Sequence, residues 1–84
     1  MQLHTYPNPF IESIKINYTI PETSNVRMVL TDITGQEINI LFNEFKNKGI
    51  YEFDFDEKNL SMGVYILRLE TGSKIQFAKI TKSN

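Results

Sequence analysis

The sequence predicts an all-β fold, a small antiparallel β-sandwich of about six or seven strands. Apolar residues recur at period two in one segment after another, most plainly at Ile14, Ile16, Tyr18 and Ile20 and again at Tyr51, Phe53 and Phe55. Clusters of Gly, Pro, Asn and Asp punctuate the chain roughly every eight to twelve residues. No segment carries the i, i+3, i+4, i+7 spacing of an amphipathic helix. Ile38 to Phe45 comes nearest, but Asn39, Asn43 and the β-branched residues weigh against it. Short strands with turns at this spacing are those of an immunoglobulin-like sandwich, with up-and-down or small-barrel closure as the alternative.

Tyr6-Pro7-Asn8-Pro9-Phe10 comes first, after a lead-in of residues 1–5 read as flexible. Two prolines fix φ, push the residues before them to extended geometry and remove two backbone donors. Such a segment fits neither a helix nor a central strand. It can cross a sheet edge while planting Tyr6 and Phe10 on the core. Ile14 to Ile20 is then a strand with one face in, stopped by Pro21-Glu22-Thr23-Ser24-Asn25. Val26, Met28 and Leu30 alternate with Arg27, Val29 and Thr31 in the next strand. Asp32-Ile33-Thr34-Gly35-Gln36 is a hairpin connection, with Gly35 supplying positive φ. Ile38, Ile40 and Phe42 line the returning strand, and Asn43 to Gly49 is a loop anchored by Phe45.

Tyr51 to Phe55 alternates with Glu52, Asp54 and Asp56 and is a half-exposed strand, after which Leu60 plugs the connecting loop. Leu60-Ser61-Met62-Gly63-Val64-Tyr65-Ile66-Leu67-Arg68-Leu69 is the run on which the chain is organised. Its two faces are both apolar until Arg68, so it reads as a central strand covered on both sides over its first half. Glu70-Thr71-Gly72-Ser73 turns into a last strand carrying Ile75 and Phe77 on one face and Ala78 and Ile80 on the other, before Thr81-Lys82-Ser83-Asn84 frays out.

Eighty-four residues make one domain, 1–84, with a thin core, and the formal charge of −1 gives no broad drive towards nucleic acid or an anionic membrane. With no cysteine, neither a disulfide framework nor a thiolate metal site is available. No apolar run approaches the roughly 20 residues of a membrane span, so direct membrane insertion is not expected. Met1-Gln2-Leu3-His4 lacks the basic and apolar regions of a signal peptide, so an export signal would lie on a longer parent chain.

The residues give little chemistry. The single histidine, His4, sits outside the expected core without a partner, and no serine or threonine lies in a GxSxG elbow. Glu52, Asp54, Asp56 and Glu57 could be imagined as oxygen ligands for calcium. They read better as the charged outer face of a strand, since no EF-hand glycine pattern accompanies them. Tyr51, Phe53, Phe55 and Tyr65 stand at core-facing parity, as core rather than a sugar-stacking platform. Lys74, Lys79 and Lys82 follow Glu70 with no acid among them, as in an edge strand defended against aggregation or a recognition patch. The expectation is a non-enzyme without metal or cofactor.

The order of motifs says more. Tyr6-Pro7-Asn8-Pro9-Phe10, Ile16-Asn17-Tyr18-Thr19-Ile20-Pro21-Glu22, Asp32-Ile33-Thr34-Gly35, Leu60-Ser61-Met62-Gly63-Val64-Tyr65 and Lys79-Ile80-Thr81-Lys82 follow one another here. This series closely resembles the type A C-terminal sorting domain of the type IX (Por) secretion system of Bacteroidota, from Tyr6 to Lys82. The immunoglobulin-like module of the flagellar hook-capping protein shares part of the pattern, and a structural spacer or adhesion module is the second reading. One departure is Ile11 after Phe10, where many relatives have a polar residue.

The resemblance implies a compact β-sandwich at the C-terminus of a secreted cargo. The cargo passes through the periplasm, and outer-membrane type IX machinery recognises the domain. A sortase-like peptidase then removes it, leaving the cargo anchored at the surface or released. The recognition residues it implies are Phe77, Ala78, Lys79, Ile80, Thr81 and Lys82. Tyr6, Pro7, Asn8, Pro9, Phe10, Asp32, Gly35, Leu60, Gly63 and Tyr65 are implied to be mainly structural. A terminal edge strand can accept a further strand from a receptor. The hairpin from Leu67 to Lys82 is expected to present that edge, and removal of Ile80 to Asn84 to abolish export while sparing most of the core.

Overall fold

The computed structural model describes residues 3–56, 59–72 and 74–83. These residues form seven strands: β1 (Leu3–Tyr6), β2 (Ile14–Ile20), β3 (Ser24–Thr31), β4 (Glu37–Lys46), β5 (Gly49–Phe55), β6 (Gly63–Thr71) and β7 (Lys74–Lys82). They build two antiparallel sheets, β1-β2-β5 and β4-β3-β6-β7. In a constant-type immunoglobulin domain the fourth strand would sit beside the fifth. Here β4 pairs with β3 instead, which leaves a three-on-four sandwich.

The period-two pattern decides what lies between the sheets. Ile14, Ile16, Tyr18 and Ile20 of β2 face Val26, Met28 and Leu30 of β3 and Leu67, Leu69 and Ile80 of the hairpin beyond, all buried. Each such aliphatic side chain contributes about 1.5–3 kcal/mol by leaving water. One side of the sandwich is closed by rings: Phe42 lies 5.7 Å from Tyr18 and 5.4 Å from Phe53, and Tyr51 stacks 5.4 Å from Tyr18. Lys46 Nζ caps this group 4.7 Å above the Tyr51 ring, a cation over a π face.

Several expectations need correction. The lead-in is not loose where it is described, because Leu3 to Tyr6 pair with Tyr18 to Lys15. Tyr6 does not reach the core; the residue is 42% exposed, on the outer face of β1. β6 is central within its sheet but covered on one side only. Tyr65, Leu67 and Leu69 are buried, whereas Val64 is exposed and Ile66 half-buried. A two-layer sandwich has no third layer to cover them. In its place a closed ring of ion pairs spans the outer face: Arg27–Glu37 at 3.0 Å, Glu37–Arg68 at 2.6 Å, Arg68–Glu70 at 2.7 Å and Glu70–Arg27 at 3.0 Å.

β4 departs furthest from simple alternation. Its pairing with β3 slips twice, between Met28 and Val29 and between Leu30 and Thr31, leaving Leu41 and Ile38 as extra residues. Each bulge inverts the faces beyond it. Phe42 and Leu41 therefore both pack on the core, while Ile38 and Ile40 point largely to solvent. The loop expected from Asn43 is strand as far as Lys46, and Phe45, expected as its anchor, is 70% exposed.

Among the described residues one buried side-chain acceptor is unsatisfied. Gln76 Oε1, on the inner face of β7, has no hydrogen-bond partner among the described residues. A buried acceptor without a donor costs about 1–3 kcal/mol. Gln76→Met should raise stability by about 1 kcal/mol, read as a later urea midpoint at unchanged slope. An earlier midpoint would mean that the carboxamide is bonded in solution.

Candidate recognition edge on the last strand

β7 is the outermost strand of its sheet, so one of its sides carries backbone groups that no other strand takes up. The Tyr6–Phe10 segment crosses from one sheet to the other and covers part of that side. Asn8 does so with its side chain: Nδ2 donates to the Lys79 carbonyl at 3.0 Å, and Oδ1 accepts from the Thr81 N–H at 2.9 Å. Proline has no N–H to offer a ladder. Between Pro7 and Pro9, the asparagine carboxamide therefore takes the part of a peptide group.

Phe10 then makes a single parallel bridge with Lys82. Its N–H donates to the Thr81 carbonyl at 2.9 Å, and its carbonyl accepts from the Ser83 N–H at 2.8 Å. The ring is fully buried, with Lys82 Nζ 5.9 Å above it. Thr81, Lys82 and Ser83, expected to fray, are thus held by the N-terminal motif. Asn84 lies outside the described residues.

The six residues of the implied recognition set divide by parity. Ile80 is fully buried and Ala78 packs against the core, so neither side chain is free for a receptor. Phe77 is 62% exposed on the outer face, Lys79 is exposed, and Thr81 and Lys82 are half-buried under the clip. The edge expected along the whole hairpin is therefore open only below Lys79.

The remaining motif residues shape the end of the sandwich where the clip sits, since Thr31 lies opposite Ile66 and Gly63 opposite Lys82. Asp32 Oδ1 accepts from the Thr34 N–H, the Thr34 hydroxyl and the Gln36 N–H at 2.8, 2.6 and 3.0 Å. Gly35 closes that turn at φ 91°, a conformation costly for a side chain. Leu60, partly buried, packs against the core. The Tyr65 hydroxyl donates to the Ser61 carbonyl at 2.6 Å, four residues back, which is the tyrosine corner of such sandwiches. Gly63 starts β6 at φ 156°, which an L side chain rarely adopts, with the Tyr65 ring folded back towards it.

Hydrogen bonds hold two carboxylates of this sheet below their ordinary range. The Thr34 hydroxyl does so for Asp32, and Arg68 followed by Arg27 does so for Glu37. A carboxyl depressed by folding stabilises fully above its unfolded value, near about 4, and that contribution is lost as pH falls through the lower folded value. The urea midpoint should therefore drop from pH 7 to pH 3. Asp32→Asn should flatten that dependence, and an unchanged slope in the variant would remove Asp32 from the account.

The other candidates gather no site. His4 is exposed on β1, with the Tyr6 ring 6.2 Å away. Glu52 and Asp54 both pair with Lys15, at 3.3 and 3.2 Å, and Glu57 lies outside the described residues. Among the described residues no group of three or more His, Asp or Glu is placed to hold a metal ion, and no helix is long and apolar enough to cross a membrane. Sequence reasoning missed the double role of Asn8, although an asparagine between two prolines was its visible signal. It also missed the ion-pair ring, which brings together residues far apart in the chain.

Compared with known families, residues 4–83 match the one described as secretion system C-terminal sorting domain. No curated protein and no solved structure matches the chain.

Proposed function

We propose that this chain, which belongs to the secretion system C-terminal sorting domain family of the type IX system, acts as a folded, non-catalytic address label read at its last strand. Its membership supports a sorting role for an exported protein. The cargo precedes the domain in a parent chain and crosses the periplasm with it. Outer-membrane machinery binds the region from Phe77 to Lys82, and a sortase-like peptidase then cuts the domain off, leaving cargo anchored or released.

The observation that carries this is the division of β7. Asn8 and Phe10 hold its end in one conformation, while Phe77 and Lys79 stand exposed beside it. A label needs such a fixed and accessible feature. The other implied residues serve it from behind: Ala78 and Ile80 anchor the strand, and Thr81 and Lys82 fasten it to the clip.

The test fuses residues 1–84 behind a signal peptide and a fluorescent reporter in a Bacteroidota host. Reporter at the surface or in the medium, shortened by the mass of the domain, is the expected result. Intact reporter held in the periplasm with the domain folded would overturn it and favour a structural spacer or adhesion module.

A further inference from the structure

We infer that the open half of the β7 edge, from Lys74 to Lys79, is a docking site for an extended acidic segment that adds as a fifth strand to the β4-β3-β6-β7 sheet. In an antiparallel ladder each residue directs its N–H and C=O to the same side, and successive residues alternate. The Thr81 N–H and carbonyl are engaged by Asn8 and Phe10 rather than β6. By alternation Lys79, Phe77 and Ile75 also aim their groups away from β6. The Lys79 carbonyl is taken by Asn8. No strand hydrogen-bonds the Phe77 and Ile75 groups: among the described residues β7 pairs with β6 alone, and β1, which also approaches β7, is bonded to β2 in the other sheet.

Side chains beside these groups fit a ligand. Phe77 and Ile75 are 62% and 58% exposed on the outer face, as pockets for alternate residues of an added strand require. Lys74 and Lys79 are exposed and make no ion pair among the described residues, and no acid follows Glu70. Edge lysines repel a second copy of the same edge and attract carboxylates. The clip sets the limit: its prolines cannot extend the ladder, so an added strand ends opposite Lys79.

This deepens the sorting reading and rests on it for the partner, which would be a component of the export machinery. The test titrates the isotope-labelled 84-residue chain with a short capped peptide alternating valine and glutamate. Binding should shift the Ile75 and Phe77 amide signals and slow their hydrogen exchange at least about tenfold, with a lysine-for-glutamate peptide at least about tenfold weaker. Phe77→Pro removes an outward donor and nothing from the ladder to β6, so it should abolish binding in a folded protein. If that variant unfolds, Lys74→Glu with Lys79→Glu should reverse the peptide preference.

Silence at Ile75 and Phe77, equal response to both peptides, or changes that depend on protein concentration without peptide would each overturn the inference. The last would make a second copy the occupant. Peptide failure alongside normal reporter export removes this inference alone; reporter retention alongside peptide binding removes the sorting reading alone.

Discussion

Phe10→Ala should leave a large share of the domain unfolded at room temperature. The ring is fully buried between the clip and the sandwich, and Phe→Ala at such a site costs about 3–5 kcal/mol. A domain of 84 residues has a total stability near the lower end of about 5–15 kcal/mol. The backbone bonds of Phe10 to Thr81 and Ser83 depend on the ring for their position, so they weaken with it. Urea denaturation followed by tyrosine fluorescence measures the effect. A shift under about 1 kcal/mol would show that the clip is an ornament on an independently stable sandwich. Asn8→Ala, which removes two side-chain bonds but no core volume, should cost less, about 1–3 kcal/mol.

Deletion of Ile80 to Asn84 should unfold the domain rather than spare its core. This reverses the expectation drawn from the sequence. Ile80 is fully buried, and losing a buried isoleucine costs about 2–5 kcal/mol. The same deletion removes Thr81 and Ser83, the groups that hold Asn8 and Phe10. Circular dichroism of the truncated chain should show lost β structure, and retained native spectra and cooperative melting would refute the account. Loss of export on truncation therefore says nothing about recognition. Lys79→Glu changes an exposed charge on a strand whose backbone stays bonded, and loss of export in that folded variant would point to the edge itself.

Much of this was legible because strand periodicity is local. The inward faces of β2, β5 and β6 follow from alternation alone, since successive side chains must point to opposite sides. The tight turn at Asp32 and Gly35 was equally plain, because its chemistry lies within a few residues. β4 was misread beyond its middle: two bulges depend on how β3 and β4 fit the twisted sheet, and no residue in the strand announces them. Tyr6 and Phe10 looked alike as anchors. One ended on an outer face and the other in the core, because the chain changes sheets between them.

The sequence by itself determined the class of fold, the identity of most core residues and the family, all of which rest on local pattern and motif order. Tertiary structure alone decided the state of the last strand. Asn8 and Thr81 are far apart along the chain, and only when the sandwich closes does the carboxamide meet a strand edge. That meeting divides β7 into a guarded half and an open one, since edge exposure depends on what the rest of the chain lays alongside.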